Sequence, residues 1–140
     1  MDNKKSKIKD VSSSPYAVAA LLVTPKGIPI VRDPKKPDPN FWKLPGGRSE
    51  GKETPKQALM REIKEEVGLS LKPDDIKIVY EEEREGHTFC LFQGAPVSLI
   101  GLKTKGNEGE DVKLFLPEEL KKLSEFFPPH REILKEIRFF

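Results

Sequence analysis

Residues 47–69 read GRSEGKETPKQALMREIKEEVGL and combine a glycine turn, a helix start and closely spaced carboxylates. Thr54 is a good N-cap, and Pro55 suits the first helical position. Gln57 follows Thr54 by three residues and completes a capping-box pattern. Gly68 suits the position just past a helix end. The stretch therefore predicts a helix that begins after Thr54 and ends before Gly68.

Two faces of this predicted helix differ in character. Leu59, Ile63 and Val67 recur every four residues and form an apolar stripe that can pack on a core. Three glutamates lie off that stripe at spacings of three and four, so they can converge on one patch. They are Glu62, Glu65 and Glu66. Crowded carboxylates repel one another, and hard divalent cations such as Mg²⁺ or Mn²⁺ prefer such oxygen-rich sites. The alternative is a solvated face on which interspersed lysines and Arg61 pair with the glutamates.

The spacing of the stretch resembles the Nudix box, in which a glycine and a glutamate precede Arg-Glu-aliphatic-x-Glu-Glu-x-Gly-aliphatic. The matching positions are Gly47, Glu53, Arg61, Glu62, Ile63, Glu65, Glu66, Gly68 and Leu69. The resemblance implies an α+β fold of the Nudix type, an α/β/α sandwich with a mixed β-sheet flanked by helices. It also implies divalent-metal-dependent hydrolysis of a nucleoside diphosphate linked to another group.

Roles for individual residues follow from the same resemblance. Glu62 and Glu66 are the main expected metal ligands, Glu65 adds a further ligand or a base, and the Gly47 carbonyl completes the coordination of Mg²⁺ or Mn²⁺. Glu53 and Arg61 are expected to form an ion pair that orients the cluster. These residues are the predicted catalytic set: Glu53, Arg61, Glu62, Glu65 and Glu66.

The segment before the box, FWKLPGG at 41–47, resembles the approach to the metal helix in many Nudix enzymes. It predicts substrate contacts from Trp42, Lys43 and Gly46, although Trp42 can equally fill the core. An acidic loop, GNEGED at 106–111, precedes the last predicted strand. It offers an additional acid or base from Glu108, Glu110 or Asp111, and no spacing rule chooses between them.

Several further elements are predicted from apolar runs and turn residues. Residues 16–24 and 28–32 read as two strands joined by a turn at Pro25, Lys26 and Gly27, which predicts a hairpin. Residues 76–83 and 88–93 read as two more strands. A short helix opens at Pro117, and a terminal helix covers residues 130–137, with His130 expected beside its cap.

Length and composition limit the remaining possibilities. The 140 residues fit one domain, assigned to 15–140 after a flexible basic tail at 1–14. A formal net charge of +2 gives no global field for nucleic acid or membranes. The partner that the family resemblance implies is a small nucleotide. The single Cys90 and the lack of a signal-peptide pattern suit a cytoplasmic protein. A monomer and a homodimer both remain open.

The sequence indicates the substrate less directly than it indicates the fold and the reaction. The window past the box lacks the proline of ADP-ribose pyrophosphatases and the tyrosine of dinucleoside polyphosphate hydrolases. A MutT-like nucleoside triphosphate pyrophosphatase is therefore the first expectation, and an ADP-ribose or nucleotide-sugar pyrophosphatase is the alternative. A non-catalytic nucleotide-binding module and an RNA-end pyrophosphohydrolase also remain open.

Overall fold

A computed structural model describes residues 15–96 and 98–140. The predicted basic tail at 1–14 lies outside these residues and stays a prediction. We number the strands and helices in chain order. The strands are β1 (Tyr16–Leu22), β2 (Ile28–Arg32), β3 (Gly46–Arg48), β4 (Ile76–Arg84), β5 (His87–Gly94) and β6 (Asp111–Phe115), and the helices are α1 (Pro55–Glu66), α2 (Pro117–Lys122) and α3 (Pro128–Glu136).

The main sheet has four strands in the order β3-β1-β5-β4 and is mixed. β1 runs parallel to β5, whereas β3 and β4 are antiparallel to their neighbours. A second sheet pairs β2 with β6 in antiparallel register.

The predicted hairpin between the first two strands is wrong. Thr24 and Gly27 exchange backbone hydrogen bonds and reverse the chain as expected. However, β3 and β5 occupy the two edges of β1, so β2 has no free edge of β1 to pair with. It pairs instead with β6, about eighty residues further along the chain.

β1 divides the core into two layers because successive side chains of a strand point to opposite faces. Val18, Ala20 and Leu22 belong to the cluster that contains Leu59 and Ile63 of α1. On the other face, residues of β1 pack with side chains from the last two helices. These include Ala19, Leu21, Leu120, Phe126 and Leu134. Helices thus cover both faces of a mixed sheet, which confirms the predicted α+β sandwich.

α1 begins and ends where its local signals predict. Thr54 and Gln57 form a reciprocal capping box, with the Gln57 amide donating to Thr54 Oγ1 at 3.1 Å and the Thr54 amide donating to Gln57 Oε1 at 2.9 Å. Gly68 follows the helix with φ of 87°, and its amide donates to the Ile63 and Lys64 carbonyls. The predicted apolar stripe is fully buried. No helix in the described part of the chain is long and apolar enough to cross a membrane.

Candidate active site

The backbone of β3 forms the base of the site because two glycines allow close approach. A Cβ added at Gly46 would lie 1.9 Å from the Val18 carbonyl oxygen. A Cβ added at Gly47 would lie 2.4 Å from Glu62 Oε2. The Glu62 carboxylate therefore packs directly against the Gly47 backbone, and any side chain at position 47 would displace it.

Arg61 links most of the carboxylates of α1 and the loop before it. It forms a bidentate pair with Glu53, with Nε 2.7 Å from Oε2 and Nη2 3.0 Å from Oε1. Its Nη1 donates to Glu62 Oε2 at 3.1 Å and to Glu65 Oε1 at 3.2 Å. The hydrogen bonding of the Arg61 guanidinium to Glu53 is the main reason that the pKa of Arg61 is raised, and the same interaction lowers the pKa of Glu53. The ion pair expected from the resemblance is present, and it extends to two further glutamates.

Glu66 is held against β3 by a backbone hydrogen bond. The Gly46 amide donates to Glu66 Oε1 at 2.8 Å. Burial raises the pKa of Glu66 to about 8, although the Gly46 hydrogen bond opposes the rise, and the neighbouring charges of Glu62 and Glu110 add to it. Burial also raises the pKa of Glu62. These groups gain from a compensating cation.

A cavity of about 440 Å³ opens over these residues, and we call it the carboxylate cavity. Its lining residues are Gly46, Gly47, Glu50, Glu62, Glu65, Glu66, Asn107, Glu108 and Glu110. Every side-chain group in that set that can bind a cation is a carboxylate or an amide oxygen, which is the donor chemistry of Mg²⁺ and Mn²⁺.

Within the described residues, no three carboxylates, imidazoles or thiols lie close enough to share one ion in this geometry. The contacts of Arg61 explain this, because its guanidinium holds the Glu62 and Glu65 side chains. The donor chemistry and the close approach at Gly47 fit a divalent cation.

The three candidate carboxylates of the acidic loop separate into two groups. Glu108 and Glu110 line the carboxylate cavity. Gly106 brings this loop against α1, since a Cβ there would lie 2.3 Å from Glu110 Oε1 and 2.9 Å from the Glu66 carbonyl oxygen. Asp111 instead forms ion pairs with Lys105 and, at 4.0 Å, with Arg32. The structure brings the first two to the cluster and directs Asp111 to other partners.

The predicted substrate contacts also separate. Trp42 is 9% exposed and packs edge-on against Phe115 at 5.5 Å, with the Arg32 guanidinium 4.4 Å from its ring centre. It belongs to the core, as the alternative for this residue proposes. Lys43 is half-buried, and its lowered pKa is due first to burial and then to the charge of Lys36.

Lys43 and Gly46 line a second, more open cavity of about 200 Å³, which we call the aromatic cavity. β1, β3, β4 and β5 contribute to it, as do Leu44 and α3. Its side chains include Lys43, Arg48, Arg84, Phe89, Phe127 and His130. Gly46 and Gly47 line both cavities, so the two cavities adjoin at β3.

Sequence reasoning missed His130, which it placed beside a helix cap. The imidazole is buried, and its Nδ1 accepts a hydrogen bond from the Leu44 amide at 3.1 Å. Its ring contacts Phe127 edge-on at 4.9 Å and stacks with Phe89 at 6.2 Å. These partners are distant in sequence, so no local spacing could have identified them.

A comparison with known domain families agrees with the geometry of the site. The family profile described as NUDIX domain matches residues 13–137. The chain belongs to the NUDIX domain family. The match spans both cavities and every residue of the predicted site, and it confirms the resemblance seen in residues 47–69.

Relatives of this NUDIX protein are named for different substrates. An 8-oxo-dGTP diphosphatase from Proteus vulgaris is 55% identical over 31 residues, which is 22% of this chain and 28% of that protein. An ADP-ribose pyrophosphatase from Methanocaldococcus jannaschii is 28% identical over 124 residues, which is 86% of this chain and 70% of that protein. The chain spans between 28% and 54% of the length of three of the curated relatives that it matches.

Solved NUDIX structures share the fold. A structure of MutT, described for Aliivibrio salmonicida and Vibrio cholerae, aligns with a TM-score of 0.71 and 22% identity. The alignment covers 87% of this chain and 94% of that one. At 22% identity, this likeness supports the shared fold and does not identify the substrate.

Proposed function

We propose that this chain is a Nudix pyrophosphohydrolase that converts a nucleoside triphosphate and water into a nucleoside monophosphate and pyrophosphate. The observation that carries the proposal is the pair of cavities that share Gly46 and Gly47. The carboxylate cavity suits a metal-bound polyphosphate, and the adjoining aromatic cavity suits a nucleobase. The diphosphatase and pyrophosphatase names of the relatives support the same enzyme class.

The chain's own groups would perform binding and orientation. The oxygen donors for Mg²⁺ or Mn²⁺ are Glu62, Glu65, Glu66 and the Gly47 carbonyl. A bound divalent cation neutralises phosphate oxygens and makes water more acidic, which lowers the barrier to attack on a polyanion. Arg61 and Glu53 hold the glutamates in position from behind.

The remaining roles are assigned by position. Glu110 accepts the proton of the attacking water, because it lines the carboxylate cavity and its charge acts on Glu66. Lys43 lines the aromatic cavity and its charge also acts on Glu66, so it is placed to contact a phosphate oxygen. Attack of the water oxygen on the α- or β-phosphorus breaks the bond of that phosphorus to the oxygen that bridges the two. The bridging oxygen leaves with pyrophosphate in the first case and with the nucleoside monophosphate in the second.

The size of the aromatic cavity suits a single nucleobase. At about 200 Å³ it is smaller than the roughly 300–1,000 Å³ typical of pockets for a whole drug-sized ligand. It therefore accommodates one planar group of a nucleotide. The cytoplasmic location and the choice between monomer and homodimer stay predictions from the sequence.

A substrate panel in the presence of Mg²⁺ or Mn²⁺ tests the proposal. The panel contains nucleoside triphosphates, ADP-ribose, nucleotide sugars, dinucleoside polyphosphates and 5′-triphosphorylated RNA. We expect pyrophosphate release from triphosphates and its loss in Glu66→Gln. Glu118→Gln, which alters an exposed glutamate of α2, is the matched control and should retain activity.

Other outcomes identify the alternatives. Turnover of ADP-ribose alone would replace the proposed substrate with a nucleotide sugar, and turnover of RNA alone would replace it with RNA ends. Nucleotide binding without any turnover would contradict the enzyme and identify a binding module.

A further inference from the structure

The aromatic cavity contains His130, and the fold determines which of its two ring nitrogens carries the hydrogen. The Leu44 backbone N–H donates to His130 Nδ1, so that nitrogen must carry a lone pair. Burial keeps the imidazole uncharged, and a neutral ring with an unprotonated Nδ1 carries its hydrogen on Nε2. The fold thereby selects the Nε2–H tautomer.

Nε2 is the polar atom of this ring that remains for a ligand. Nδ1 is its one hydrogen-bonding atom with a partner among residues 15–96 and 98–140. Nε2 is not among the fully buried polar atoms that lack a partner in this part of the chain, so it keeps some accessible surface. His130 lines the aromatic cavity. An acceptor atom on a ligand in this cavity can therefore receive the Nε2–H.

The other polar side chains of the cavity are also donors. Lys43, Arg48 and Arg84 carry only N–H groups and cannot accept a hydrogen bond. The backbone of β1 offers little compensation, because β1 is paired along both edges by β3 and β5. The cavity thus favours ligand atoms that accept hydrogen bonds over those that donate them.

The ring geometry suits a planar ligand. Phe89 stacks against the His130 ring with an angle of 26° between their planes, and the Arg84 guanidinium lies 4.4 Å from the Phe89 ring centre. Phe127 meets His130 edge-on. The cavity thus combines aromatic rings with the directed Nε2–H and the cationic donors, which is a combination that suits an aromatic heterocycle.

We propose that His130 is a specificity-determining residue that selects nucleobases with a carbonyl, the 6-oxopurines and 4-oxopyrimidines, over their amino counterparts. This rests on the proposed placement of the nucleobase in the aromatic cavity. The carbonyl oxygen accepts the Nε2–H. Adenine and cytosine bring an exocyclic amino group to the same position, where it faces the Nε2–H as a second donor and the hydrogen bond from His130 is lost.

Binding of nucleoside monophosphates tests the selection without requiring turnover. Isothermal titration calorimetry compares inosine monophosphate with adenosine monophosphate, and uridine monophosphate with cytidine monophosphate. Within each pair, an oxo group is replaced by an amino group, and the adjacent ring nitrogen changes its protonation accordingly. We expect about 10-fold tighter binding of the oxo member in both pairs. His130→Phe should bring both ratios close to one, whereas His130→Asn, which retains a donor and an acceptor, should restore part of the preference.

A second measurement uses the unaltered protein, in case the variants do not fold. In protein with ¹⁵N-labelled histidine, long-range ¹H–¹⁵N correlations identify the tautomer of His130. We expect the Nε2–H form, with an Nε2 resonance that shifts more with inosine than with adenosine monophosphate. An Nδ1–H tautomer, equal affinities within both pairs, or an unchanged preference in His130→Phe would overturn the proposal.

These outcomes are separate from those of the substrate panel. Hydrolysis of triphosphates without any preference between oxo and amino bases would retain the proposed function and reject the role of His130. A preference in binding without hydrolysis of any triphosphate would retain the role of His130 and reject the proposed function.

Discussion

The carboxylate cavity and the aromatic cavity share two glycines but are assembled from the chain in different ways. Most of the first comes from residues 46–66, one β-strand and the helix that follows it, with a loop added at 107–110. The second draws on segments between Ala17 and His130, including four strands and the last helix. Charge and close backbone approach define the first cavity, whereas ring packing and one long-range hydrogen bond define the second. A site made from one local segment can be read from sequence, and a site made from distant segments requires the fold.

The loop carboxylates test where the carboxylate cavity ends. We expect Glu110→Gln to lower kcat by about 1,000-fold, the middle of the range for a general base. Asp111→Asn should change kcat less than twofold, because Asp111 pairs with Lys105 and Arg32 rather than lining the cavity. Steady-state kinetics on the best substrate of the panel make the comparison. The reverse order of effects would assign the base to Asp111.

The two glycines separate the catalytic geometry from the stability of the fold. Gly47→Ala should lower kcat by about 100-fold, because its Cβ collides with the Glu62 carboxylate and shifts it. Its stability should change little, since the colliding group is the end of a flexible side chain. Gly46→Ala collides with the Val18 carbonyl of the backbone and should unfold more readily. Urea unfolding beside kinetics measures both, and equal effects of the two variants would contradict this separation.

Arg61 tests whether the ion-pair network positions the metal ligands. Arg61→Lys removes the bidentate bond to Glu53 and cannot reproduce the contacts to Glu62 and Glu65. We expect about 10–100-fold lower Mn²⁺ affinity or activity, as for other groups that orient metal ligands. Lys64→Arg, at an exposed position of the same helix, is the control. Unchanged Mn²⁺ affinity and activity in Arg61→Lys would show that the network has no positioning role.

The pH dependence of stability tests whether the aromatic cavity holds His130 neutral. It is the smallest effect that we expect. Burial first, then the charges of Lys43 and Arg84, lower the pKa of His130 from 6.5 to about 3 in the folded protein. The unfolded chain therefore binds more protons between these values, and stability is lost as pH falls from about 6.5 toward 3.

His130→Phe lacks this contribution, so its free energy of unfolding should fall less steeply with acidification. The slopes of the two proteins should differ by up to about 1.4 kcal/mol per pH unit, the value for one proton. Urea unfolding between pH 7 and pH 4.5 measures both slopes. Parallel curves would show that His130 is not held neutral by the fold.

The predictable part of the molecule follows the same division. The capping box, the buried stripe of α1 and the convergence of Glu53, Arg61 and Glu62 depend on spacings within a few turns, so the sequence specifies them. The α+β sandwich was predicted through the family resemblance that this same segment carries.

The rest depends on contacts between distant segments. The pairing of β2 was missed because a turn at Gly27 predicts that neighbouring strands pair, while the partners of β1 are determined by the whole sheet. From the sequence alone, Trp42 could belong to the core or to the site. Its ring contact with Phe115, a residue distant in sequence, identifies it as a core residue. His130 is separated from Leu44 by 86 positions, and no periodicity links the two.

The burial of Trp42 makes the protein its own optical reporter. It is the single tryptophan of the chain, and its ring lies in an apolar layer beside Phe115. Its backbone is bonded to both Glu125 and Phe127, so the loop before α3 must separate from it when the fold opens. Emission from this one indole therefore shifts to longer wavelength as water reaches it, and every unfolding curve described above can be recorded without a label.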